Sequence, residues 1–237
     1  LGFSQYLRKD GLAYRLVPIA TNIPQINWVA DQELRRLGLG GTQIRDNNSD
    51  SIYNNLMTRF EFGGAGRKGV YFDEENRRHI LSMRGIFGEA AGNLADKGRK
   101  EDAQRLLDKV EKGINPENLP YAQTSRFNSH NQTGLIYLEA CYKAGKAELA
   151  EKVRLALRKD MEQQKKYYEY ISSSRPEFYG GFERSEAPIN DRLLQVLAAI
   201  ENRYAPQTQP KPNQETPTSI TNPIRPDSAA VKPDSNR

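Results

Sequence analysis

The stretch DEENRRHILSMRGIFGEAAGNLADKGRKEDAQRLLDKVEKGI, residues 73–114, decides the fold. Asp73 is an N-cap residue type, and Glu74 and Glu75 follow it where the positive end of a helix dipole favours carboxylates. Apolar residues then recur in steps of three and four at Ile80, Met83, Phe87, Ala90/Ala91 and Leu94, one face of a helix. Gly98 is the expected stop, with Lys97 in the last turn. A second stripe follows at once, at Ala103, Leu106, Leu107, Val110 and Ile114, and Gly113 with Asn115-Pro116 closes it. The link Gly98-Arg99-Lys100 is too short for any partner but an antiparallel neighbour.

The pattern returns downstream. Leu135, Leu138 and Cys141/Tyr142 form one stripe, ended by Gly145, and Ala150, Val153, Leu157 and Met161 form the next. Gly145 lies 47 residues after Gly98, and each glycine is followed five positions later by an alanine, Ala103 and Ala150. A glycine turn and a small residue on the second helix are the logic of tetratricopeptide-type pairs, whose usual period is about 34 residues. The excess falls in the loop 115–130, which carries Pro116 and Pro120. The expected fold is all-α: tetratricopeptide-like antiparallel hairpins, with an irregular N-terminal segment containing a short strand. Two units are fewer than a stack of this kind normally needs. The flanks must therefore cover its ends.

Three regions are expected: an irregular segment 1–72 with a short helix near 51–60, a helical domain 73–204, and a proline-rich tail 205–237. Lys9-Asp10-Gly11 is a turn signal, and Leu12 to Ile19 alternates loosely, as a short strand does. A short helix is expected over Val29–Leu37. Asp46 to Asp50 is oxygen-rich but lacks the Gly and Glu of a calcium loop, so it reads as a lead into a helix N-cap. Gly63-Gly64-Ala65-Gly66 lacks phosphate-loop spacing and reads as a turn. Helix is expected to continue from Met161 towards Ser172–Ser174. Pro176 to Pro188 reads as a loop, followed by a last helix with Ile189, Leu193, Val196/Leu197, Ile200 and Tyr204 on one side. Beyond Ala205, seven of the thirteen prolines punctuate polar residues, the composition of a disordered tail.

Composition narrows function without naming it. The net charge is +5, and the mean hydropathy of −0.79 leaves no run that could span a membrane. Residues 1–20 carry Arg8, Lys9, Asp10 and Arg15, so no secretory signal is expected in them. The absence of an initiator Met leaves two readings open: a segment of a longer protein, or a processing product. Basic residues are interleaved with acidic ones, as in Arg99-Lys100-Glu101-Asp102, a solvated face rather than a nucleic-acid surface. Cys141 sits on an apolar stripe, as a small buried side chain would. His79 and His130 have no metal-spaced partners, and no nucleophile motif or dinucleotide fingerprint is present. No metal, no cofactor and no catalytic residue is expected in this segment. Aromatic rings at helical spacing are the candidate binding feature. Tyr137, Tyr142 and Tyr168 are taken as the possible lining of a groove for a peptide or glycan, with packing as the competing reading.

Six stretches carry a resemblance further: SQYLRKDGLAYRLVPI, IYNNLMTRFEFG, VYFDEENRRHILSMRGIF, LADKGRKEDAQRLLDKV, YLEACYKAGKAELAEKV and YYEYISS, in this order. Together they resemble a family of bacterial multi-spanning membrane proteins, common in Bacteroidetes, that are similar to protein O-mannosyltransferases. The resemblance covers about residues 1–20 and 51–204. It implies a soluble C-terminal region following the last membrane helix, on the extracytoplasmic (periplasmic) side of the inner membrane. The catalytic acidic residue and the lipid-linked sugar site of that family belong to the membrane core, which this sequence does not contain. The implied role is to position the acceptor or brace the membrane core, with that core and a protein or glycan acceptor as partners. The alternative is a free-standing helical scaffold that takes a peptide in its concave face.

Overall fold

A computed structural model describes residues 6–10, 13–18, 28–39 and 48–204. The readings made for Asp46 and Asn47 and for the tail after Tyr204 lie outside the described residues. In chain order the elements are β1 (Leu7–Asp10), β2 (Ala13–Leu16), α1 (Val29–Arg36), α2 (Ser49–Thr58), α3 (Glu74–Asp96), α4 (Lys100–Gly113), α5 (Ser129–Lys143), α6 (Ala147–Ser174) and α7 (Gly181–Tyr204). The protein is mainly helical, with one small antiparallel sheet near the N-terminus in which Leu7 faces Leu16 and Lys9 faces Tyr14.

Both hairpin turns are built the same way. Asp73 caps α3, its carboxylate accepting from the Asn76 N–H at 2.8 Å. At the far end Gly98 is left-handed, at φ 80°. There the Arg99 N–H reaches back to the Leu94 carbonyl (2.9 Å) and the Gly98 N–H to that of Ala95 (3.0 Å). Forty-seven residues on, Gly145 repeats this at φ 77°, with Lys146 N–H on the Cys141 carbonyl and Gly145 N–H on that of Tyr142. A paired closure of this kind satisfies carbonyls that a helix end leaves bare, and glycine takes the positive φ without steric cost.

Packing follows the predicted stripes. Phe87, Leu94, Leu106, Leu107, Val110, Leu135, Leu138, Val153, Leu157 and Met161 are all essentially inaccessible to water. The most extensive helix contacts are α3 with α5 and α3 with α4. The α3–α5 contact runs through glycines. Gly85 faces Thr133 and Gly88 faces Tyr137, so the two helices advance side by side in the same direction. A side chain built at Gly88 would meet Tyr137 Cδ2 at 2.7 Å and its backbone Cα at 3.2 Å.

The flanks cover the stack as it requires. Helix α2 lies on α3 and α4, and the Lys109 ammonium donates to the carbonyls of Leu56 and Met57 at its C-terminal end, each at 2.9 Å. Helix α7 packs on α6 and α5, and α1 packs on α7 and α5. One boundary departs from the sequence reading. Helix α7 begins at Gly181 and runs through Pro188, where a loop was expected. Glu183 reaches back to accept from the Gly180 N–H at 3.2 Å, half of a capping box. That cap lets the helix start two turns before the proline.

Candidate functional site

The N-terminal segment is tied to the stack by buried polar groups. Helix α1 has no cap of its own, because Trp28 stands at its N-cap position. The cap comes from Glu139 on α5, about 110 residues later in the chain. Its carboxylate, fully buried, accepts from the N–H groups of Val29 and Ala30 at 2.7 Å each and from the Tyr204 hydroxyl at 2.8 Å. A carboxylate at a helix N-terminus satisfies orphan donors and opposes the dipole. Burial nonetheless holds Glu139 above the usual carboxylate range and pushes the Tyr204 hydroxyl up as well.

Trp28 fills the space over Gly92, where any side chain would come within 2.1 Å of the indole. The indole N–H donates to Asp96 at 3.0 Å, and Lys143 both pairs with Asp96 (2.9 Å) and sits 4.6 Å from the indole centroid. Farther along α3, Lys9 of β1 forms a buried ion pair with Glu89 at 2.6 Å. Arg192 of α7 donates to the Leu37 carbonyl at 3.2 Å, so helices α3, α5 and α7 each give polar groups to the residues before α2.

A second polar cluster sits where α5, α6 and α7 meet. Phe127 and Asn128 are consecutive left-handed residues, at φ 54° and 47°. Asn tolerates this region, whereas Phe is strained there by about 1–2 kcal/mol. The surroundings hold them. The Phe127 N–H donates to buried Glu186 at 2.7 Å, and the Asn128 amide donates to Gln164 (3.1 Å) and Asn190 (3.3 Å). Asn131 donates to Asn128 and to Asp160, and Gln164 donates to Asp160. A network satisfied in this way fixes one arrangement of three helices.

The loop between α4 and α5 has its own clamp. Buried Arg84 donates to the carbonyls of Leu119 and Pro120, each at 2.7 Å, and lies 5.0 Å from the Tyr121 centroid. The hydroxyls of Tyr121 and Tyr137 donate to the two oxygens of Glu111, at 2.6 and 2.9 Å.

These placements correct the aromatic groove. Tyr137 is fully buried inside the α3–α4–α5 contact and lines no surface. Tyr142 stacks on Tyr204, rings 5.6 Å apart and nearly parallel. Tyr168 is buried against α7, its hydroxyl pushed up to about 12 by burial, and it edges a cleft of about 180 Å³ with Lys165, Tyr179 and Asp191. The three rings have different neighbours and share no face. Helical spacing put Tyr137 and Tyr168 on inward stripes, and the Tyr137 hydroxyl found its partner in Glu111.

Cys141 is buried and its thiol is held well above the ordinary range by desolvation. His79 is exposed beside Glu75 at 2.9 Å. Among the described residues no group of three or more His, Cys, Asp or Glu is placed to hold a metal. A larger cleft, about 490 Å³, lies between α2 and α4 and is lined by Met57, Phe62, Arg105, Lys109 and Lys112. Among the described residues, no helix is long and apolar enough to cross a membrane.

Sequence reasoning missed Glu139 and the Asn128 cluster. Glu139 had one available signal, a charged residue inside the stripe between Leu135 and Tyr142. Asn128 had none, because its partners come from three separate helices.

His130 yields a pH test. Burial lowers its pKa, and Arg77, Arg78 and Arg84 lower it further. The folded state therefore favours the neutral ring. As pH falls past about 6.5, the ordinary histidine value, the unfolded chain takes up a proton that the folded chain resists, and stability is lost. Urea unfolding of the chain and of His130→Gln at pH 7.5 and pH 5.5 (about one unit either side of that value) should show the larger loss in the parent. Equal losses would remove His130 from the pH response.

Fold and buried site together define a class: an all-α stack of two glycine-turned helical hairpins, with a short β-hairpin and α1 fastened to it by buried polar contacts. Comparison with family models, curated proteins and solved structures finds no match.

Proposed function

We propose that this chain is a non-catalytic, tetratricopeptide-like domain on the extracytoplasmic face of a membrane glycosyltransferase-like protein, where it braces the membrane core and helps position the acceptor. The observation that carries this reading is the capping of α1 by Glu139 on α5. A bracing domain must grip the chain on its N-terminal side; buried contacts from Glu89 and Glu139, with Asp96 on the Trp28 indole and Tyr204 holding Glu139, make such a grip. A free-standing peptide scaffold needs helix faces open to a guest. Here α1 already lies on α5 and α7. Buried Lys9, Glu89, Arg84, Glu139 and Glu186 each fasten one element to another, which suits support better than chemistry.

The test is made in the parent polypeptide, with residues 73–204 deleted. The membrane core should still insert, while transfer of sugar to the protein or glycan acceptor falls. Undiminished transfer, or transfer catalysed by the isolated chain, would overturn the reading.

A further inference from the structure

Helix α6 is 28 residues long and α5 only 15. Gln164 of α6 meets Asn128 at the start of α5, so the ten residues of α6 after Gln164 run on past that end, by about 15 Å at a rise of about 1.5 Å per residue. The first turns of α7 return alongside them, joined through the turn Pro176–Phe178. The result is a two-helix spur.

Of the nine large hydrophobic side chains exposed among the described residues, four lie on this spur, Tyr167, Tyr170, Phe178 and Phe182, and Phe127 lies at its root. Each is at least half exposed, whereas the other four, Tyr14, Leu16, Tyr71 and Leu155, lie elsewhere in the chain. Phe127 is also held in a strained backbone conformation by buried Glu186, one turn along α7 from Phe182. Strain kept in place by a satisfied network is a mark of a position under functional constraint. Arg126, Lys165, Lys166, Arg175 and Arg184 stand among the rings, interspersed with Glu169, Glu177, Glu183, Asp191 and buried Glu186; Glu169 lies 3.9 Å from Lys165 and Glu177 3.8 Å from Arg175.

We infer that the spur is an anchor for the interface of an anionic lipid bilayer. Tyrosine and phenylalanine rings interleaved with lysine and arginine suit the headgroup boundary, where rings enter the acyl edge and cations meet phosphates. The rings are exposed side chains spread over two helices and the turn between them, and a deformable lipid surface accommodates them without a preformed pocket. The inference rests on the reading of the chain as an appendage of a membrane protein. The two can fail separately, because acceptor transfer in the parent can require the domain whether or not the spur touches lipid.

The test is co-sedimentation of the 237-residue chain with phosphatidylcholine vesicles containing or lacking phosphatidylglycerol. Association is expected with the anionic vesicles, weakened by added salt. Phe178→Ser with Phe182→Ser should reduce it about tenfold or more, from the apolar area returned to water. Circular dichroism checks the fold of this doubly substituted chain, and the exposure of both rings predicts an unchanged helical spectrum. Phe178→Trp provides a second readout, a blue shift of emission on adding anionic vesicles, above the signal of buried Trp28. No association with anionic vesicles, equal association with neutral ones, or association unchanged by loss of the two rings would each overturn the inference.

Discussion

Replacing Gly88 by leucine is expected to unfold the contact between α3 and α5, at a loss of about 3 kcal/mol or more in urea unfolding. Glycine inside a helix costs up to about 1 kcal/mol relative to alanine, so its presence needs a packing reason. The reason is Tyr137. A Cβ at Gly88 lies 2.7 Å from the ring and 3.2 Å from the tyrosine Cα. The ring is fully buried and its hydroxyl is held by Glu111, so neither end of Tyr137 can yield without breaking another contact. The control is Gly85→Ala. Its Cβ meets chiefly the Thr133 methyl, on a partly exposed side chain that can turn away. The gain in helix propensity then offsets the crowding, and a change within about 1 kcal/mol is expected. Equal losses at the two glycines would show that helix propensity, and not the approach of two backbones, sets their role.

Glu139→Ala is the second large effect. It removes the acceptor for two backbone donors of α1 and for the Tyr204 hydroxyl. Loss of a cap costs about 1 kcal/mol, and a buried donor left bare costs about 1–3 kcal/mol. Burial keeps Glu139 above its ordinary pKa, so the ionised carboxylate already carries a desolvation cost at neutral pH, and that part is recovered on removal. A net loss of about 2–4 kcal/mol is expected. Amide hydrogen exchange locates it. Val29, Ala30 and the rest of α1 should lose protection first, with α3 and α4 protected as before. Uniform loss across all helices would mean that Glu139 supports the whole core rather than the docking of α1. Loss confined to α1 would support the grip on the N-terminal segment that the proposed function requires.

Much of this architecture can be read from local pattern. Asp73, Gly98, Gly113 and Gly145 act through their own backbone neighbourhoods, so the helix limits at 74–96, 100–113 and 147–174 follow from caps and stripes. Pro188 shows where a local rule fails. A proline normally argues against helix on its N-terminal side, yet the Glu183 cap and the packing of α7 on α6 outweigh the missing hydrogen bond. The aromatic rings show a different limit. A tyrosine on a stripe can face a partner helix or a ligand, and only the position of a distant acceptor such as Glu111 decides between them.

The sequence by itself determined the helical hairpins, their two glycine turns and the second of the two short strands, because caps, glycines and apolar periodicity act within a few residues. Tertiary structure alone decided that Glu139 caps a helix beginning 110 residues earlier, that Asn128 joins three helices, and that exposed rings gather on one spur. Each of these joins residues far apart in the chain, and their pairing depends on how whole helices lie against one another in space.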